Sequence, residues 1–381
     1  MRVVRPAMSI FGMLFCVVSM FGLPAASQAQ NQKLQQALNR QTEVSVIEAP
    51  LTDAAATLQG LFDTEIRIHA EGLSEMGVSP DVAVHLEHEN ISLRSALHLL
   101  LRQTELDWIT DGSAILITTP EEADSRLAKR RYQIGQAPPD EVIGLLTTCS
   151  NGQWIDVDGD GGEVSVTGPG VIEVTQTERS HREIEALFGE LARVLNPRQA
   201  PKLPSVEAAN KAIQAKLSRT RYRSQQNQQA VPLSTFAESL NSQHDIPVWI
   251  DVLQLEELGV SAQQEIDLPA SATSLSSLLN QVLTPLELTW RVQHETLLIT
   301  TMMQDEDYGD MPITVYNTSR LLGRSRTPQQ LLSNLYAESG VENWLVNDGS
   351  PGTAFVIGNV LVVKQSAGSH RKIASWLQSL R

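Results

Sequence analysis

The chain repeats itself, and this limits what it can fold into more than any other feature. Moved forward by 182 positions, residues 49–119 fall on residues 231–301 without a gap, with 24 identities in 71 positions. Unrelated stretches of ordinary composition agree at roughly one position in seventeen. Pro50-Leu51 lands on Pro232-Leu233, Gly77-Val78-Ser79 on Gly259-Val260-Ser261, and Trp108 on Trp290. Ile117-Thr118-Thr119 lands on Ile299-Thr300-Thr301. With small gaps the match continues through Tyr132 and Tyr316, Trp154 and Trp344, and residues 171–191 on 360–380, with Ser180-His181-Arg182 on Ser369-His370-Arg371. Even the lead-in recurs, as Leu38-Asn39-Arg40 and Leu217-Ser218-Arg219. Shared turns and apolar positions need the same backbone, so both halves should have one order of strands and helices.

Within a copy the pattern alternates. Val44-Ser45-Val46 reads as a strand and Thr52 to Leu61 as a helix capped by Thr52. Ile66-Arg67-Ile68 and 82–86 alternate as strands. Ser92 caps a helix striped by Leu93, Ala96, Leu97, Leu100 and Leu101, and a hairpin turning at Asp111-Gly112 follows. A second unit has a strand near Tyr132, a helix from Pro139 to Leu146 and strands at 164–166 and 171–174. It closes on a helix from Ser180 to Val194, with Ser180 and Glu183 as its capping box. The fold class is α+β: two tandem copies of a pair of small mixed modules. The expected division is a lead-in helix at 30–42, modules at 43–120 and 130–195, a Pro-rich linker and helix at 196–220, and modules at 221–302 and 312–381. Three prolines within 196–204 make the linker stiff and should let each copy fold apart from the other.

The N-terminus reads as a secretory signal over residues 1–29. Arg2 and Arg5 precede an apolar run from Ile10 to Leu23, and Ser27-Gln28-Ala29 supplies small residues at the two positions that matter. Cleavage after Ala29 leaves Cys149 as the one thiol, so no internal disulfide can staple the fold and Cys149 reads as a small buried hydrophobe. Acidic residues outnumber basic ones by 44 to 29, which argues against nucleic acid and anionic lipid as partners. No membrane insertion is expected once the signal is removed.

The first unit resembles the short N-terminal domain shared by secretins and TonB-dependent signalling receptors. The residues that carry this are Ala49-Pro50-Leu51-Thr52-Asp53-Ala54 and 91–97, then Leu106-Asp107-Trp108 and Ala114-Ile115-Leu116-Ile117. The second unit is similar to the next N-domain of secretins. It also resembles tandem arrays in secreted proteins of Planctomycetes-like bacteria, where a Trp- and Gly-rich loop (here 151–162) precedes a strand pair and helix. The resemblance implies a secretin N-domain-like fold and a habit of binding other proteins. Those families need a membrane β-barrel after such domains. The sequence ends at Arg381, directly after the last expected helix, so no membrane barrel and no pore activity is expected of this chain.

Candidate chemistry is sparse. Asp156-Val157-Asp158-Gly159-Asp160-Gly161 copies the opening of a calcium loop, but the twelfth position is Thr167 rather than Glu. The second copy has Asn347-Asp348-Gly349-Ser350 there. An acidic surface turn explains the loop better. His85 and His88 point to opposite faces of a strand. His181 and His370 fall in the first turn of a helix, where a positive charge is disfavoured, so neutral solvent-facing or packing rings are expected. Trp108, Trp290, Trp154 and Trp344 read as core or inter-module packing. No catalytic, cofactor-binding or metal residue is assigned. The reading is a non-enzymatic scaffold of the cell envelope, periplasmic or secreted, that binds protein partners, by strand addition at sheet edges among other ways. The alternatives are an accessory subunit of a secretin-type secretion or pilus system, and an exported metal-binding protein or enzyme using the Asp156–Asp160 loop.

Overall fold

Helix starts set the architecture. In the computed structural model, helices begin at Leu51, Ala70 and Leu93, and again at Leu233, Val252 and Leu275, each 182 residues on. Asp63 and Asp245 end the first helix of each trio in the left-handed region, at φ 49 and 51, which a short polar side chain tolerates. Gly77 and Gly259, at φ 73 and 78, make the next turn. Ser92 and Ser274 then cap Leu93–Arg102 and Leu275–Leu283, accepting from the amides of Ser95 and Ser277. The structure describes residues 25–197, 203–223, 230–307, 311–322 and 326–380. Most of the expected signal and the middle of the Pro-rich linker lie outside them.

Each leading module carries a three-stranded sheet. Ile66–Ile68 runs parallel to Ala114–Thr118, which is antiparallel to Asp107–Asp111. Val248–Ile250, Thr296–Thr301 and Leu288–Gln293 repeat that order. Beside it, Gln41–Pro50 pairs with Ala83–Ser92. Two shorter pairs replace that ribbon in the second half, Tyr222–Arg223 with Ser271–Ala272 and Ala230–Pro232 with Glu265–Asp267. The closing modules are antiparallel. Val171–Thr177 lies between Leu127–Gln133 and Glu163–Gly168, and Val360–Lys364 between Ile313–Asn317 and Thr353–Ile357. Their long helices are Pro139–Cys149 and Glu178–Leu195, then Pro328–Glu338 and Ala367–Ser379. The fold is α+β, built of small mixed modules. Among the described residues there is no closed barrel, and no helix is long and apolar enough to cross a membrane.

Local expectations are corrected at several ends. The first helix starts at Leu51 after Pro50 with no side-chain cap, so Thr52 does not cap it. Thr177, not Ser180, caps the closing helix, accepting from the Ser180 amide. Glu183 accepts instead from the Asn151 amide, at 3.2 Å. The lead-in helix spans Ala25–Asn39, and Gln41 already belongs to a strand. After the linker, helix Ser205–Arg219 leads into the second half.

The grouping of modules also departs from expectation. The described residues form two compact units, and neither is a sequence half. One joins residues 25–125 with 203–305, and the other joins 126–197 with 306–380. Like packs with like, so the linker does not leave each copy to fold alone.

Candidate functional site at the seams between like modules

In the unit of leading modules, helix Leu93–Arg102 faces the second-half module. Its sequence LRSALHLLLR buries Leu93, Ser95, Ala96, Leu97, Leu99, Leu100 and Leu101, more than one amphipathic stripe requires. The lead-in helix covers part of it, with Leu34 and Leu38 in the same core, and polar groups of the helix cross the seam. At the N-terminal end, the Ser92 amide and hydroxyl donate to Glu295 Oε2 at 2.7 and 2.8 Å, and Gln41 Nε2 donates to Oε1. Glu295 is 2% exposed, and its carboxylate sits at a helix N-terminus, where amides and dipole favour negative charge. Midway along, the His98 and His294 rings stack at 4.5 Å. At the far end Arg102 Nε lies 2.7 Å from Asp251 Oδ2, and Thr300 Oγ1 donates to the same oxygen at 3.1 Å. Trp249 packs against the first module's core.

The turn that delivers Glu295 is strained. His294 and Glu295 are consecutive non-glycine residues at φ 51 and 63, where the first half uses Gly112 at φ 65. Such backbone costs on the order of 1 kcal/mol per residue and persists only where its surroundings hold it. Here the Ser92 bonds, the ring stack and the Glu295 amide donating to Asn210 Oδ1 at 2.8 Å do so.

The closing modules share apolar surface. Along Val360–Lys364, Leu361 and Val363 pack in their own core, while Val360 and Val362 join the core of the first-half module. Alternation along a strand with both faces covered explains why all five residues are buried. Helix Pro139–Cys149 lies against Thr353–Ile357 at Gly144, where a Cβ would come 3.2 Å from the Phe355 ring. Thr353 Oγ1 donates to Thr148 O at 2.8 Å, Lys364 Nζ to Ser150 O at 3.3 Å, and Asn151 Nδ2 to Met311 O at 3.2 Å. Burial lowers the Lys364 ammonium to about 8, pushes the Cys149 thiol up to about 12, and raises the Glu183 carboxyl. A thiol held that high is protonated and inert at neutral pH.

The tryptophans singled out by the repeat are core residues. Trp108 is 1% exposed, and Trp290, Trp154 and Trp344 are equally buried. Trp154 Nε1 donates to Ser150 Oγ and Trp344 Nε1 to Val341 O, both at 3.0 Å. His181 and His370 are packing rings, not solvent-facing ones. In each, Nε2 donates to a carbonyl (Ala128 or Pro312), which leaves Nδ1 to accept from a tyrosine hydroxyl (Tyr132 or Tyr316). Burial lowers both imidazoles to about 4. In the acidic loop Asp158 Oδ2 accepts from the Trp154 amide at 2.7 Å and Asp160 Oδ1 from the Gly161 amide at 2.8 Å, so both close turns. His85 is half-buried, with Glu48 and Glu87 each at 3.9 Å, and burial lowers the His88 ring. Among the described residues no three His, Cys, Asp or Glu side chains are grouped so as to hold a metal.

Residue patterns alone do not point to Arg102, Asp251, Glu295 or Lys364. A usable signal exists all the same. Each stands where the repeat breaks, opposite Thr284, His69, Ser113 and Thr175. Seam residues differ between halves because each half supplies a different side of the seam.

No family model and no curated protein matches the chain. Solved structures of the N-terminal domain of the secretin XcpQ from Pseudomonas aeruginosa are similar to it. A dimeric cysteine mutant of that domain is 10% identical over 89% of this chain and 95% of that one, at a TM-score of 0.16. A structure of XcpQN012 is 10% identical over 90% and 98%, at a TM-score of 0.17. A likeness at TM-scores of this size carries no argument about function.

Proposed function

We propose that the chain is an exported, non-enzymatic protein-binding scaffold of the cell envelope, periplasmic or secreted. One observation supports this above others: its modules dock on their own kind. Helices of a first-half module cover a face of the like second-half module, through a buried carboxylate in one unit and a shared apolar core in the other. Surfaces of this type recognise protein. Edge strands add a second mode. Glu163–Gly168 lies at the edge of its sheet with Val166 half exposed, and an edge offers N–H and C=O groups to an incoming strand. Like-on-like docking favours a partner that itself carries such modules, which is the form an accessory role beside a secretin would take.

Cross-linking and affinity purification of the tagged chain from its native envelope test this. The expected result is a stoichiometric envelope protein cross-linked to this chain at a module face or edge strand. Recovery of the chain alone under every cross-linker, or turnover of a small-molecule substrate by the purified chain, would sink the reading.

A further inference from the structure

The closing modules leave aliphatic side chains in solvent at one end of their unit. After the buried Trp154 and Trp344, the short helices Ile155–Asp158 and Leu345–Asp348 turn outward. Ile155 and Val157 are 50% and 63% exposed, and Leu345 and Val346 are 53% and 64% exposed. None of the four belongs to the apolar cores of these modules. Ile155 and Leu345 follow equivalent tryptophans, so both halves place an aliphatic residue at this exposed position. The two loops are closed alike and spring from the same end of the seam. The Ile155 amide donates to Gly162 O at 2.9 Å and the Leu345 amide to Gly352 O at 2.8 Å. Gly159 and Gly349 end the short helices at φ 82 and 80. Thr353, just after one loop, donates to Thr148 O, and its ladder neighbour Lys364 to Ser150 O, just before the other. Grouped apolar side chains in solvent mark contact surfaces, and tips on a preset backbone lose little freedom when covered.

Charge decides what fits over them. Residues 151–165 hold Asp156, Asp158, Asp160 and Glu163 with no Lys or Arg, and residues 340–352 hold Glu342 and Asp348, again with no Lys or Arg. Asp158 and Asp160 close turns, while Asp156, Glu163 and Glu342 are exposed. An acidic rim around aliphatic tips repels nucleic acid and anionic lipid and favours Lys and Arg on whatever covers it. The net charge of −15 acts against a second copy as well.

We infer that Ile155, Val157, Leu345 and Val346 dock together on a different protein, seating in an apolar groove rimmed by Lys and Arg. This rests on the scaffold reading and names the face used and the partner's chemistry.

A helical peptide with one leucine face flanked by lysines serves as probe, titrated into the full mature chain and followed by amide shifts. The same peptide with glutamate for every lysine is its control. The expected result is saturable binding of the lysine peptide with the largest shifts in 155–159 and 345–349, and at least tenfold weaker binding of the glutamate peptide. Val157→Ser with Val346→Ser should weaken the lysine peptide at least tenfold, as should Asp156→Lys with Glu342→Lys. All four positions are exposed, so the melting temperature should stay unchanged. Equal binding of the two peptides, or shifts confined to other residues of the unaltered chain, would overturn the inference without any variant. So would tighter binding of phosphatidylglycerol vesicles at these tips, or a dimer in sedimentation that Val157→Ser with Val346→Ser abolishes. Envelope partners cross-linked at other faces would survive such a result, so the two readings fail separately.

Discussion

Arg102 Nε and Asp251 Oδ2 meet at 2.7 Å across 149 residues of chain, with the Asp251 side chain 4% exposed. The pair joins the last turn of a first-half helix to the end of a second-half strand. Removing one partner strands a buried charge, which costs about 3–5 kcal/mol. Arg102→Ala should show that loss in urea denaturation followed by tryptophan fluorescence. Arg102→Met with Asp251→Leu should recover most of it, because an apolar pair leaves no charge behind.

Trp108 and Trp290 fill equivalent cores, but the seam changes how a truncation spreads. Trp108→Ala should cost roughly 3–5 kcal/mol. The damaged helix carries Ser92 and Arg102, so the second-half leading module should loosen with the first. Hydrogen exchange checks this. Strands Leu288–Gln293 and Thr296–Thr301 should lose protection together with Asp107–Asp111 and Ala114–Thr118, and full protection of the former would refute the coupling.

Acid should weaken the closing modules. His181 and His370 are held at about 4 in the folded chain against 6.5 for an ordinary imidazole. Their neutral forms contribute stability that is complete above pH 6.5 and is lost as pH falls through 4, because only the unfolded chain takes up protons in that window. The loss reaches up to about 3 kcal/mol per ring. Melting temperatures between pH 7 and pH 4 should fall steeply, and His181→Gln with His370→Gln should flatten that slope whatever it does to the level at pH 7.

Gly144 marks the closest approach in the closing seam. Leucine there favours helix by about 1 kcal/mol, yet it must displace the Phe355 ring, and overpacking costs about 1–3 kcal/mol. Gly144→Leu should therefore lower the melting temperature, while the same change at exposed Gly60, which has open space, should not.

Calcium should leave the melting temperature unchanged at millimolar concentration. Asp158→Ala should cost about 1 kcal/mol, the worth of a lost side-chain cap on the Trp154 amide, equally with and without the ion.

Much of the local structure is legible in the residues. The helix starts at Leu93 and Leu275, the cap at Ser92 and the glycine turn at Gly112 follow from residue types whose backbone preferences act over four residues. The closing helix is harder, because neighbouring hydroxyls compete. Thr177 and Ser180 lie one turn apart, and either could cap. The candidate site is far less legible. Glu295 looks like a surface acid in a polar turn, and nothing adjacent marks it as buried.

By itself the sequence determined that one order of strands and helices occurs twice, because a gapless offset of 182 carries turn glycines and apolar stripes to equivalent places. Only the tertiary structure decided that like modules pair across the halves. That choice rests on surfaces such as Val360 and Val362 in a shared core and Arg102 opposite Asp251. Periodicity records which face of an element is apolar; it does not record which distant face will cover it.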